Sequence, residues 1–147
     1  MSMFNAFDVN ASGLTAQRYR MDVISENVAN ASTTRTSDGT PYRRKTVVFQ
    51  ERDSQTPFSR VLNKATDRYA GKGVKVVGTY EDRSTDLIKA YDPAHPDADE
   101  DGYVWYPNVN IITEMTNLID ASRAYEANAT AFDASKSMAL KGLEMAN

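Results

Sequence analysis

The chain has 147 residues, 41% apolar and 25% charged, with a net charge of −3 and no cysteine. That composition excludes general disorder, and no apolar run reaches the 18 residues that a membrane-spanning helix needs. Disulfides, thiolate metal sites and thiol nucleophiles are excluded with the cysteines, and the single histidine, His95, leaves little room for imidazole chemistry.

Met1 to Asp8 (MSMFNAFD) is interrupted by polar residues, so no cleavable secretory signal is expected. Charge is unevenly spread. Residues 33–91 sum to +5 and residues 92–110, which lack Lys and Arg, to −5. A basic segment can serve nucleic acid, but it also suits a solvated surface or attraction between copies of one chain. With a sequence pI near 5.2, no nucleic-acid partner is expected.

Residues 3–31 read as a helix. Phe7, Leu14, Met21 and Val28 recur every seven residues, with Ala11 and Ile24 at helical spacing within an arc of about 140°. Val9, Ala16 and Val23 form a second series on the opposite side. An ordinary surface helix carries one apolar stripe. This one carries two, so it is expected to touch neighbours on more than one side. Gly13 in its interior costs about 1 kcal/mol of helix propensity.

Residues 32–60 are rich in Ser, Thr, Arg and Asp. Strands are expected at Tyr42 to Gln50, Gly73 to Tyr80 and Leu87 to Tyr91, with a weakly patterned stretch at 51–72. The charges of Arg43-Arg44-Lys45 are expected to face solvent or mark an edge.

Residues 110–146 read as a longer helix, about 54 Å at 1.5 Å per residue. Pro107 precedes it, Asn110 suits its N-cap and Glu114 its positive dipole end. Ile111, Leu118, Tyr125, Phe132 and Ala139 form one heptad series. Met115, Ser122, Ala129, Lys136 and Leu143 form another, together a coiled-coil pattern. Ala121, Ala124, Ala127, Ala131 and Ala134 make a small-residue face. Two helices cannot bury four stripes between themselves, and the short β insert looks unable to cover them. The pattern therefore describes a subunit buried in a polymer, whose unlike surfaces build an open filament.

No catalytic constellation stands out, and neither an enzyme activity, a cofactor nor a small-molecule substrate is expected. Asp97-Ala98-Asp99-Glu100-Asp101-Gly102 places acids at positions one, three and five and Gly at six, as a calcium loop does. Its twelfth position is Asn108 rather than Glu, and Pro96 and Pro107 deny it flanking helices. It reads as a solvated acidic turn, with an exported calcium-responsive binding module as the alternative. His95, in Pro93-Ala94-His95-Pro96, reads as a loop residue.

The run Ser12 to Thr34 (SGLTAQRYRMDVISENVANASTT), centred on Asn27-Val28-Ala29-Asn30, resembles the N-terminal signature of bacterial flagellar axial proteins of the rod and hook type. Pro41 to Gln50 (PYRRKTVVFQ), Tyr91 to Asn110 (YDPAHPDADEDGYVWYPNVN) and Ala121 to Met145 (ASRAYEANATAFDASKSMALKGLEM) narrow the resemblance to the proximal rod of the basal body. It implies an α fold with a small β insert. Long N- and C-terminal helices (residues 1–32 and 108–147) would form an inner coiled-coil layer, with a central antiparallel β and loop region (33–107) outside it. The implied function is structural: a helically polymerising drive shaft that transmits torque and encloses the export channel. Its implied place is outside the cytoplasmic membrane, periplasmic in a double-membrane cell. Implied partners are other copies, other rod proteins, a rotor-side adaptor at the membrane ring and the type III export apparatus.

Subunit packing is expected from Phe7, Leu14, Met21 and Val28 against Ile111, Leu118, Tyr125 and Phe132, within or between chains. Met115 and Leu143 belong to the second heptad series. A second face around Val23, Asn27, Asn30 and the Ala121–Ala134 series is expected on neighbouring subunits. The alternatives are plain intrachain core for the hydrophobes and a helix C-cap region for the asparagines.

Overall fold

The computed structural model describes residues 3–52 and 72–145. The stretch read as weakly patterned, 51–72, lies outside the described residues except at its ends. The described elements are α1 (Met3–Ala29), β1 (Lys45–Glu51), β2 (Val74–Glu81), β3 (Ile88–Tyr91), β4 (Tyr103–Tyr106) and α2 (Ile111–Glu144). Two long helices flank a small strand region, the architecture expected at the coarse level. Among the described residues no helix is long and apolar enough to cross a membrane.

Helix ends follow from local chemistry. Asn110 Oδ1 accepts the amides of Ile112 at 3.0 Å and Thr113 at 3.2 Å, so the expected N-cap of α2 is present. At the end of α1, Asn30 donates through Nδ2 to the carbonyl of Glu26 at 2.9 Å. Its Oδ1 accepts the Thr33 hydroxyl at 3.2 Å.

β1 and β2 form one two-stranded sheet and β3 and β4 another. β3 and β4 are antiparallel, Ile88 opposite Tyr106 and Tyr91 opposite Tyr103. In the first sheet the Asp82 amide donates to the Arg44 carbonyl and the Arg52 amide to the Gly73 carbonyl, which makes that pair antiparallel too. β1 starts at Lys45 rather than Tyr42. The Tyr42 amide is spent on the Thr33 carbonyl and the Arg44 amide on Asn108 Oδ1, so neither joins the ladder. β4 was not expected; its four residues follow the acidic turn without any alternation of their own.

Two compact units share the chain. One comprises Met1–Arg18, Phe49–Val77 and Ser122–Asn147; the other comprises Tyr19–Val48 and Gly78–Ala121. In the first, Phe7 and Phe132 meet edge to face at 5.1 Å and Asn10 Nδ2 donates to Ser135 Oγ at 3.5 Å. A Cβ built on Gly13 would stand 2.8 Å from Asn128 Oδ1, so this glycine is what admits the Asn128 amide. Gly73 has a φ of 92° and abuts Ser12. The Ser12 hydroxyl donates to the Val9 carbonyl at 2.7 Å and accepts the Val74 amide at 3.0 Å. A side chain at 73 would be strained in backbone and blocked in space.

In the second unit the core includes Val23, Ile24, Tyr42, Val104, Val109 and Ala121. Tyr19 and Thr79 share a hydroxyl hydrogen bond at 2.9 Å. Strand residues therefore reach α1 in each unit, at Ser12 in one and at Tyr19 and Asn27 in the other. α2 keeps large apolar side chains in the open, among them Ile111, Ile112, Met115 and Ile119.

Candidate functional site

The most heavily determined place in the chain is a buried polar cluster in the second unit. Its centre is Asn27, which is 0% exposed. Nδ2 donates to the Lys45 carbonyl at 2.8 Å and to Glu114 Oε2 at 2.9 Å. Oδ1 accepts the Tyr42 hydroxyl and the Lys45 amide, both at 2.9 Å. A carboxamide has two donors and two acceptor positions, and all four are used within the chain. An asparagine on the buried face of a helix is costly unless paired in this way.

Glu114, 1% exposed, is the second member. Arg44 reaches its Oε1 through Nε at 2.9 Å and Nη2 at 2.8 Å. One carboxylate oxygen thus meets the guanidinium and the other meets Asn27. Such partners offset the cost of taking a carboxylate out of water. Lys45 Nζ pairs with Glu26 beside it. Burial, reinforced by the charges of Glu26, Glu114 and Glu81, pushes the Tyr42 hydroxyl well above its ordinary ionisation range. Tyr42 therefore stays a donor. Asn108 extends the network, accepting the Arg44 amide at 2.8 Å and donating to the Asp82 and Thr85 carbonyls at 3.0 and 3.1 Å. The cluster fastens α1, the start of β1, the residues before α2 and the first turn of α2 to one another. Its polar side chains are spent on one another and on the backbone, so the arrangement is that of a clamp.

Asn27 and Val23 are thus inside the chain, which revises the expectation that they face a neighbouring subunit. Every polar atom of Asn27 is already engaged. Asn30 lies at the end of α1 and bonds to Glu26 and Thr33, the arrangement of its C-cap alternative. Of the alanine series, Ala121 is buried and Ala124 half-buried, while Ala127, Ala131 and Ala134 are exposed.

Of the residues expected to pack, Phe7, Leu14, Met21, Val28, Leu118 and Phe132 are half-buried; Ile111, Met115, Tyr125 and Leu143 are exposed. Phe7 and Phe132 are brought together; Ile111, Met115 and Leu143 present bare apolar surface. Sequence reasoning missed the roles of Arg44 and Glu114. The available signal was an Asn on the apolar face of α1 between Ile24 and Val28.

Two carboxylates of the acidic loop, those of Asp97 and Asp99, are spent internally. Asp97 accepts the Thr34 hydroxyl at 2.8 Å and pairs with Arg35 at 3.7 Å. Asp99 Oδ1 accepts the amides of Asp101 and Tyr103. Asn108, at the twelfth position, is turned into the buried network. Among the described residues no group of three or more His, Asp or Glu is placed to hold a metal ion. The calcium-responsive alternative gains no support here. His95 Nδ1 accepts the Asp97 amide at 3.1 Å, as a loop residue.

Two family models match: one described as "Flagella basal body rod protein" over residues 7–35, and one as "Flagellar basal body rod FlgEFG protein C-terminal" over residues 100–145. The flagellar basal-body rod protein FlgC of Borreliella burgdorferi is 48% identical over 94% of this chain and 93% of its own length. The chain belongs to the FlgC family of flagellar basal-body rod proteins. FlgC of Bacillus subtilis is 46% identical over 99% of both chains, and FlgC of Salmonella typhimurium 39% over 99% of this chain and 98% of its own. Membership makes the chain a structural component of the bacterial flagellar rod, in the basal body, assembling with other rod components in the service of motility. The matched residues 7–35 include Asn27, and the matched residues 100–145 include Glu114, so the two models meet at the clamp.

Proposed function

We propose that the chain polymerises helically, with copies of itself and other rod proteins, into the proximal part of the shaft that transmits torque and encloses the export channel. It works by packing and not by catalysis. In this reading residues 1–32 and 108–147 form an inner coiled-coil layer, and residues 33–107 a β-rich region outside it. The proposed subunit contacts use Phe7, Leu14, Met21, Val28, Ile111, Met115, Leu118, Tyr125, Phe132 and Leu143. The rod would lie outside the cytoplasmic membrane, reached through the type III export apparatus and seated on an adaptor at the membrane ring.

The observation that carries this reading is the large apolar surface left on α2. Ile112 is 78% exposed and Met115 55%, although the same helix is fixed to its own chain through Glu114. Exposed apolar area of this kind marks an interaction surface. A firmly attached helix with an uncovered apolar side suits a subunit whose burial is completed by neighbours. Leu118→Asp tests it: the chain should still be synthesised, but motility should be lost. Normal swimming would contradict the packing.

A further inference from the structure

The charges divide by unit. Among the described residues, the unit made of Met1–Arg18, Phe49–Val77 and Ser122–Asn147 holds seven Lys and Arg against five Asp and Glu, a net +2. The unit made of Tyr19–Val48 and Gly78–Ala121 holds seven against thirteen, a net −6. Each unit also carries bare apolar residues on α2. In the negative unit these are Ile112, Met115 and Ile119, spaced three and four apart on one helical face and each more than half exposed. In the positive unit they are Met138, Leu140 and Leu143. From Lys136 to Met145 only Ala139 is even half-buried. The rest of that stretch is exposed and carries Lys136 and Lys141 against Glu144.

We propose that the Ile112–Met115–Ile119 face of one copy receives the Lys136–Leu143 stretch of a second copy. The proposal rests on the rod reading and names the surfaces that join. The two patches are alike in being apolar, so hydrophobic burial alone allows stripe on stripe, tail on tail or stripe on tail. Charge decides among them. Stripe on stripe sets −6 against −6, and tail on tail sets +2 against +2. Stripe on tail sets −6 against +2, which attracts and steers the encounter. A contact between unlike patches leaves one stripe and one tail free at the ends of any chain of copies. It therefore propagates instead of closing on a symmetric dimer.

The absence of cysteine makes the test clean. Ile119→Cys and Leu143→Cys are introduced singly and together in the full chain, and basal bodies are purified and oxidised. The double variant should give covalent dimers and larger species, and each single variant should give none. A dimer from Ile119→Cys alone would show stripe on stripe and overturn the proposal. So would a double variant that is present in the basal bodies yet not cross-linked, which leaves the rod reading standing. Absence of the wild-type chain from basal bodies would overturn both. A second pair, Met115→Cys with Leu140→Cys, is judged by the same outcomes where the first pair fails to assemble.

Discussion

Asn27 and Glu114 meet at 2.9 Å inside the protein although 87 residues separate them in sequence. The amide gives Glu114 one of its partners, and Arg44 and Asn117 meet its other oxygen. Asn27→Ala would leave the Tyr42 hydroxyl, both backbone groups of Lys45 and one oxygen of a buried carboxylate short of partners. Each unsatisfied buried group costs roughly 1–3 kcal/mol, with partial relief by water. The expected loss is about 3 kcal/mol in urea unfolding. Asn30→Ala, at the less buried helix end, should cost below about 1 kcal/mol. Equal losses at the two positions would contradict the clamp.

Tyr42 makes the clamp sensitive to alkali. Burial first, then the charges of Glu26, Glu114 and Glu81, hold its ionisation above the ordinary value of 10.0. A group whose folded value is raised contributes stability that is complete below the unfolded value and declines as pH rises past it. Between pH 9 and 11 the wild type should therefore lose more stability than Tyr42→Phe. At neutral pH that variant should cost about 1 kcal/mol, the worth of its hydrogen bond to Asn27. Parallel pH profiles for the two proteins would count against this.

Gly13 looks like a weakness in α1, but it admits Asn128. Asn128 Nδ2 is itself held by the Ala124 carbonyl at 2.8 Å, so the side chain does not swing aside freely. Gly13→Ala gains helix propensity of about 1 kcal/mol and meets a contact at 2.8 Å. The expected net effect is a loss of about 1–2 kcal/mol, in the range of overpacked cores. Adding Asn128→Ala should remove the clash and restore stability, read as non-additivity in a double-mutant cycle. A stabilised Gly13→Ala single variant would show that the close approach is unimportant.

Phe7 and Phe132 offer a check on the first unit. Their edge-to-face geometry, 5.1 Å between centroids with planes at 63°, predicts a coupling of about 0.5–1.5 kcal/mol beyond area burial. A cycle of Phe7→Leu and Phe132→Leu measures it, and additive effects would argue that the rings do not meet.

Both helices were legible because their apolar residues recur at helical spacing over many turns. The Asn110 cap was legible because its partners are two and three residues away. The clamp was not. Asn27, Arg44 and Glu114 each have a bland local reading, as a helix-end residue, a strand charge and a dipole partner. Only contacts 70 and 87 residues apart join them. β4 was hidden for the same reason, since Tyr103–Tyr106 is a strand by virtue of its pairing with Ile88–Tyr91. The two-sided apolar character of α1 was read correctly.

The central claim is that this chain is built into the rod. Electron microscopy of purified basal bodies, with the density fitted residue by residue, tests it most directly. The account predicts copies of this chain in the rod near the inner membrane, with α2's Ile112–Ile119 face covered by a neighbouring subunit. Finding the chain only in the hook, or finding that face bare to solvent in the assembled rod, would contradict it.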